Sequence, residues 1–308
     1  MAQFSKEYFL RETRDGFYIE PMVKCCWAAE IEVLEVFAEI CDKYNLVFFA
    51  DYGTLLGAVR HQGFIPWDDD MDICMFREDY EHFLRIAPDV LPKDWCVHSI
   101  YENNFHDQLH ATINNTNKID YSPEHLKRFH GCPYSVGLDI YPLDTLAPSP
   151  EEDQTVCELI KVLSHTAQIY ESNPSEAEEL LPDLENMCNV TFDRSRNIKN
   201  QLMRLANQVA QIYNSTAGAD CIVSNYEGHI RRNRKLHLQP AWFRERIELP
   251  FETVTVPAPK EYDLILRQYY GDYMTPVQGT QSHDYPFYKK QEKILAECWA
   301  KMKQEGSL

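Results

Sequence analysis

Asp68, Asp69, Asp70 and Asp72 dominate the chemistry written into this chain. They close the run from Asp51 to Asp72, DYGTLLGAVRHQGFIPWDDDMD. Like charges a few Å apart cost about 1–4 kcal/mol per pair at intermediate dielectric, so a fold that keeps such a cluster places something positive in it. Oxygen-only donors select a hard divalent cation, Mg2+ or Mn2+. A solvated acidic turn is the plainer account of an aspartate run. Against it stand Met71 and Ile73, which alternate with Asp70 and Asp72 and predict a strand with one buried face. The two carboxylates would then share a face about 7 Å apart at the backbone and converge on one ion.

A third carboxylate comes from Val136 to Asp144, VGLDIYPLD, where Asp139 interrupts an apolar run. An aspartate in mid-strand is unfavourable unless it is paired. If this strand lies beside the first, three carboxylates meet. Asp144 sits where the strand gives way, and a turn or cap is its plainer role. Gly53-Thr54 reads as a tight turn after a buried strand, letting backbone N–H groups approach a phosphate. Arg60 offers a fork of donors to a diphosphate, and His61 either contacts phosphate or orients Asp68. As surface residues of a helix-to-loop connection they would do neither. Trp67 reads as core, with stacking on a base or a ligand cation as the alternative. Together these parts describe phosphoryl transfer from a nucleotide-type donor. Adjacent, mutually repelling carboxylates fit glycoside hydrolysis poorly.

The segment Gly53 to Asp72, with Gly137-Leu-Asp-Ile-Tyr-Pro-Leu-Asp144, resembles the LicD family and its fukutin-type relatives. Leu249-Pro-Phe-Glu252, Val256-Pro-Ala-Pro259 and Tyr270-Gly-Asp-Tyr-Met274 resemble its closing segments, in the same order. The resemblance implies a nucleotidyltransferase-like α/β (α+β) fold, a short mixed sheet flanked by helices. It also implies transfer of a phospho-alcohol, most often phosphocholine from CDP-choline or another CDP-alcohol. The acceptor would be a sugar of a cell-surface glycan or its precursor. Carried over, Asp70, Asp72 and Asp139 are the catalytic and metal-holding residues, with Mg2+ (or Mn2+) as cofactor. Gly53, Thr54, Arg60, His61 and Asp68 would face the donor. Relatives often carry a basic residue between Leu109 and Asn115, where this chain offers His110.

Two other readings fit the same residues. One is a nucleotidyltransferase that consumes an NTP and releases pyrophosphate. The other is a nonenzymatic module that keeps the fold for glycan recognition.

The elements that must position these groups follow from periodicity. Trp27, Ile31, Leu34, Phe37, Cys41 and Tyr44 recur at helical spacing, and Leu46 to Ala50 reads as a buried strand. A helix begins near Asp79. Trp95 to Ile100 and Gln108 to Ile113 read as strands, with polar Glu102, Asn103 and Asn104 between them. Residues 1–147 thus form the catalytic unit, and Pro148-Ser-Pro150 opens a mostly helical lobe, 148–308. There Val156 to Leu163, Leu202 to Tyr213 and Ile294 to Met302 read as helices, and polar 171–183 as a surface loop or short helical excursion. The lobe holds one dense basic segment, His229, Arg231, Arg232, Arg234, Lys235 and His237, which is either solvated or turned toward the acidic cleft. Tyr269, Tyr270, Tyr273, Tyr285 and Tyr288 cluster behind it.

Composition excludes several classes. With 48 acidic against 30 basic residues the net charge is −18, a poor match for nucleic acid. It equally disfavours nonspecific adhesion to anionic lipid, though contact with a membrane-linked acceptor stays open. No transmembrane or leader segment is expected, so a cytoplasmic location is. Ten cysteines without a C-x-x-C pair argue against structural zinc, and Cys25, Cys26, Cys41, Cys74, Cys96 and Cys298 read as small core hydrophobes.

Overall fold

The structure, a computed structural model, describes residues 2–102, 106–216, 218, 221–278 and 285–304. Asn103 and Asn104 therefore lie outside the described residues. A short hairpin of β1 (Glu12–Arg14) and β2 (Phe17–Ile19) leads into α1 (Pro21–Tyr44). Pro21 occupies the first turn of α1, where its missing N–H costs nothing, and Asn45 closes the helix in a left-handed conformation. The central elements are β3 (Phe49–Ala50), α2 (Tyr52–Arg60), β4 (Asp72–Phe76), α3 (Arg77–Val90), β5 (Cys96–His98), β6 (Ala111–Asn114), α4 (Pro123–Arg128) and β7 (Gly137–Thr145). Three helices follow, α5 (Pro150–Ser172), α6 (Pro174–Cys188) and α7 (Ile198–Ala210). The chain ends through β8 (Val223–Ser224), α8 (Tyr226–Arg231), β9 (Arg246–Phe251), β10 (Val254–Pro259), α9 (Tyr262–Tyr270) and α10 (Tyr288–Gln304).

The main sheet runs β3-β4-β7-β6-β5, with β8 added to the far end of β7. Only β4 and β7 pair in parallel among these; the others are antiparallel. The fold is thus the mixed sheet flanked by helices that the family resemblance implied. Gly137 is required where β6 and β7 meet, because a Cβ there would run into the Ile113 carbonyl. Around the sheet, Trp27 stacks on Phe64 with ring centroids 4.7 Å apart, and Phe37 packs edge-on to Phe48 and Phe83. A second apolar cluster joins α5, α6 and α7 through Leu163, Leu181, Leu184, Leu202 and Met203. After residue 220 the chain returns to the first core through Leu236, Leu238, Phe251 and Leu266. The second half is therefore helical in its first part and mixed in its last.

Several local expectations change. The 46–50 strand shortens to Phe49–Ala50. Gly53-Thr54 is the first turn of α2, since Asp51 accepts from the Tyr52 N–H and the Leu- and Ala-rich run behind it propagates a helix. Asp70 and Met71 precede β4, which begins at Asp72; a turn closed by the Asp68 N–H on the Ile65 carbonyl holds the chain out of the ladder. Residues 174–188 form a helix, begun by Pro174 in its first turn and buried along Ala177, Leu181 and Leu184. Cys26, Cys41 and Cys74 are buried, Cys25 and Cys96 half-buried, but Cys298 is exposed together with Ile294 and Trp299 on α10. No helix among the described residues is long and apolar enough to cross a membrane.

Candidate active site

Asp72, Asp139 and Thr112 form a row across three adjacent strands. Asp72 is the register partner of Asp139, and Asp139 that of Thr112. The Thr112 hydroxyl donates to Asp139 Oδ1 at 2.7 Å, and His110 Nε2 lies 3.7 Å from Asp139 Oδ2. On the other side, Thr54 Oγ1 accepts the Asp72 N–H at 2.8 Å, and the Asp51 N–H donates to the Asp72 carbonyl at 3.0 Å. The start of α2 is thereby stitched to the start of β4. Thr54 serves the strand rather than standing free.

Asp68 and Asp70 come in from the preceding loop. Burial, and then the Asp70 carboxylate beside it, push the Asp68 pKa well above the usual range, and the two carboxyls are hydrogen-bonded. Burial does the same to Asp72, followed by Asp70 and Asp139. Gly53 makes the approach feasible, since a Cβ there would overlap Asp68 Oδ2.

Two clefts meet at this row. The first, about 590 Å³, is lined by Asp69, Asp70, Asp139, His110 and Glu227, with polar Gln108, Asn114, Ser135, Ser164 and Gln168 beyond. The second, about 680 Å³, is lined by Gly53, Asp68, Asp70, Asp72, Arg60, Trp67, Tyr52, Tyr270 and Tyr273. Asp70, Tyr141 and Arg231 line both. Asp139 keeps 29% of its side chain exposed whereas Asp72 is 8% exposed, so Asp139 is the carboxylate a ligand in the first cleft can reach.

The structure thus brings Asp68, Asp70, Asp72 and Asp139 together, with Gly53 behind them. Arg60 reaches the second cleft while its Nη1 donates to the Tyr273 carbonyl at 2.7 Å. His61 is elsewhere: Nε2 lies 3.1 Å from Asp15 Oδ2, outside the residues that line either cleft. Its partner is Asp15 rather than Asp68, because the ring lies past the end of α2, edge-on to Trp67. Trp67 is half-buried, packed on the core and lining the second cleft. Asp144 is no ligand: it is buried and takes Arg77 Nε at 2.8 Å and Nη2 at 2.6 Å. Of the basic segment, Arg231 and Arg232 reach the clefts, His229 and Arg234 turn to Asp153, and Lys235 and His237 are exposed.

Sequence reasoning missed two participants. Glu227 on α8 sits 2.6 Å from His110 Nδ1 and accepts the Leu109 N–H at 3.0 Å. Glu30 on α1 lines the first cleft; burial, then Asp69 and Asp70, raise its pKa well above the usual range, and its Oε2 has no hydrogen-bond partner among the described residues. A glutamate inside the apolar run WAAEIEVL was a visible signal for Glu30. The donor set is all oxygen, crowded and largely dry, which fits a hard divalent cation held by Asp70, Asp72 and Asp139.

Clustered acids thus stand on a short mixed sheet and are reached from two clefts. Residues 45–131 match the family model described as LicD/FKTN/FKRP, nucleotidyltransferase domain, and the chain carries a LicD-family domain. That match includes every aspartate of the cluster except Asp139. The chain is similar to the lipopolysaccharide cholinephosphotransferase LicD of Haemophilus influenzae, 43% identical over 56 residues, 18% of this chain and 21% of that one. It is also similar to an uncharacterised protein of Rickettsia typhi, 54% identical over 50 residues, 16% of each chain. A third relative, an uncharacterised protein of Caenorhabditis elegans, is 42% identical over 57 residues, 17% of this chain and 15% of that one. The similarity spans no more than 21% of any of these three relatives.

Proposed function

We propose that this chain is a metal-dependent transferase that moves a phospho-alcohol group to a sugar hydroxyl of a cell-surface glycan or its precursor, with phosphocholine from CDP-choline the leading case. The row Asp72–Asp139–Thr112, set where two clefts meet at Asp70, carries this reading. Two substrates that exchange a phosphoryl group must share one reacting centre, and two clefts with a common carboxylate supply it.

The second cleft suits the donor. Arg60, Arg231 and Arg232 offer charged donors to a diphosphate, and Tyr52, Trp67, Tyr270 and Tyr273 offer ring faces to a pyrimidine or a quaternary ammonium. The first suits the acceptor, whose hydroxyls meet Gln108, Asn114, Ser135, Ser164 and Gln168. Held by Asp70, Asp72 and Asp139, Mg2+ or Mn2+ would supply charge neutralisation at the phosphate oxygens. Thr112 holds Oδ1 of Asp139 and leaves Oδ2, with His110 Nε2 3.7 Å away, to take the proton from the attacking sugar hydroxyl. The new bond joins the sugar oxygen to phosphorus, the bond to CMP breaks, and the arginines hold the departing charge.

Purified protein given Mg2+, CDP-choline and sugar acceptors should release CMP and form the sugar's phosphocholine diester. Asp139→Asn should lower kcat by about 100-fold or more. Pyrophosphate release from an NTP would replace this reading with the nucleotidyltransferase one. Sugar binding without turnover, unchanged in Asp70→Asn/Asp72→Asn, would leave only a binding module.

The resemblance to H. influenzae LicD also motivates a lipopolysaccharide-type acceptor.

A further inference from the structure

On the far side of α8 from the clefts, three potential metal ligands converge in the interior: Asp153 and Cys157 on α5, and His229 on α8. Their relative exposures are 7%, 0% and 0%. One ligand atom from each lies within 4.8 Å of the other two. His229 Nε2 is 3.2 Å from Asp153 Oδ1, and Cys157 Sγ is 3.8 Å from that same oxygen. Ligands about 2.1 Å from a tetrahedral ion lie about 3.4 Å apart, and a thiolate and a carboxylate oxygen about 3.6 Å. Both distances to Asp153 Oδ1 are close to those of a ligand set around one ion.

Hydrogen bonding points the same way. His229 Nδ1 lies 2.9 Å from the Leu236 carbonyl, which can only accept, so Nδ1 carries the hydrogen. In the neutral ring Nε2 is then a lone pair facing a carboxylate, two acceptors opposed in a dry interior. A cation between them resolves the conflict; a second ring proton would place a buried imidazolium there instead. Arg234 Nη1 is 3.4 Å from Asp153 Oδ2 and 3.0 Å from the Pro150 carbonyl, while His229 Nε2 faces both carboxylate oxygens, at 3.2 Å and 3.3 Å, so that Arg234 anchors the carboxylate that turns toward the ring.

We infer that Asp153, Cys157 and His229 form a second metal site, distinct from the acidic cluster and selective for Zn2+ or a similar borderline cation. A thiolate with an imidazole selects such an ion, where Mg2+ takes oxygen. Binding displaces the Cys157 proton to solvent, forms the metal–sulfur bond and changes no oxidation state. The ion would clamp α5 to α8, the helix that presents Glu227 and Arg231 to the clefts. The site stands whether or not the transferase reading does.

Co2+ titration into chelator-stripped full-length protein tests it. A thiolate-to-cobalt charge-transfer band saturating at one equivalent is expected, with Zn2+ displacing it. The band should vanish in Cys157→Ser and weaken at least about tenfold in His229→Gln. It should persist in Asp72→Asn. Zn2+ should raise the wild-type Tm by about 3 °C or more and leave that of His229→Gln unmoved. No band in the wild type overturns the proposal without need of a variant. A band that survives in Cys157→Ser assigns the thiolate elsewhere, with Cys26 and Cys132, whose sulfurs are 3.6 Å apart, the next place to look, and overturns it equally.

Discussion

His110 Nδ1 lies 2.6 Å from Glu227 Oε2, joining residues 117 positions apart and closing α8 over the acidic end of the sheet. Burial depresses the His110 pKa, but Glu227 and then Asp139 more than offset it and leave it above its ordinary value. Burial raises Glu227, yet His110 outweighs that and brings its carboxylate to about 2. The histidine's contribution is complete below about pH 6.5 and lost as pH rises through its raised folded value; the glutamate's is complete above about pH 4.3 and lost as pH falls toward 2. The pair therefore stabilises most between those limits. Glu227→Gln should cost about 2 kcal/mol at pH 6 and distinctly less at pH 9, read by urea denaturation. An equal loss at both would mean no charged pair forms.

Gly53 separates site geometry from stability. Its missing Cβ makes room for Asp68, so Gly53→Ala must push that carboxylate aside. Alanine also favours the helix in which it sits, by up to about 1 kcal/mol. Tm should hold within a few degrees while Mg2+-dependent activity falls about tenfold or more. Intact activity would show that Asp68 plays no part.

Much of the site was legible because its residues lie close in sequence or break a pattern. The Asp68–Asp72 run and Asp139 in its apolar strand announced themselves, and the mixed sheet was expected from the family resemblance those residues carry. His61 carried two readings because sequence places it beside Arg60, and the end of α2, which sends its ring to Asp15, matches the surface one. Glu227 was invisible for the opposite reason, since only the return of the chain after residue 220 delivers it to His110. The exposed apolar residues of α10 read as core because periodicity reports a stripe without saying what covers it.

The acidic cluster itself yields a prediction free of any assumed substrate. Asp68 and Asp72 are held protonated above their ordinary range by burial and by Asp70. A divalent ion bound there releases protons and relieves repulsion, so it binds the folded state alone. Mg2+ or Mn2+ at 100 times Kd should stabilise by about 2.7 kcal/mol, more weakly at pH 5 than at pH 8. Asp72→Asn should abolish the shift in Tm. A shift unchanged in that variant would locate the ion elsewhere.

Asp139 and Asp144 lie five residues apart on β7 yet should fail in different ways. Asp144 is 1% exposed and pairs with two of the three guanidinium nitrogens of Arg77, and Asn214 Nδ2 adds a contact at 2.7 Å. Asp144→Ala leaves Arg77 buried with only Glu81 at 3.1 Å and Asn207 at 2.9 Å, and should cost about 3 kcal/mol. Replacing both partners, Arg77→Leu with Asp144→Leu, removes the stranded charge and should restore part of that loss. Asp139→Asn keeps its Thr112 contact on a partly exposed side chain, so its stability should change by under about 1 kcal/mol while turnover is lost. Chemical denaturation and kcat measured on the same preparations separate the two. If Asp144→Ala abolished turnover at full stability, the division of labour along β7 argued here would be wrong.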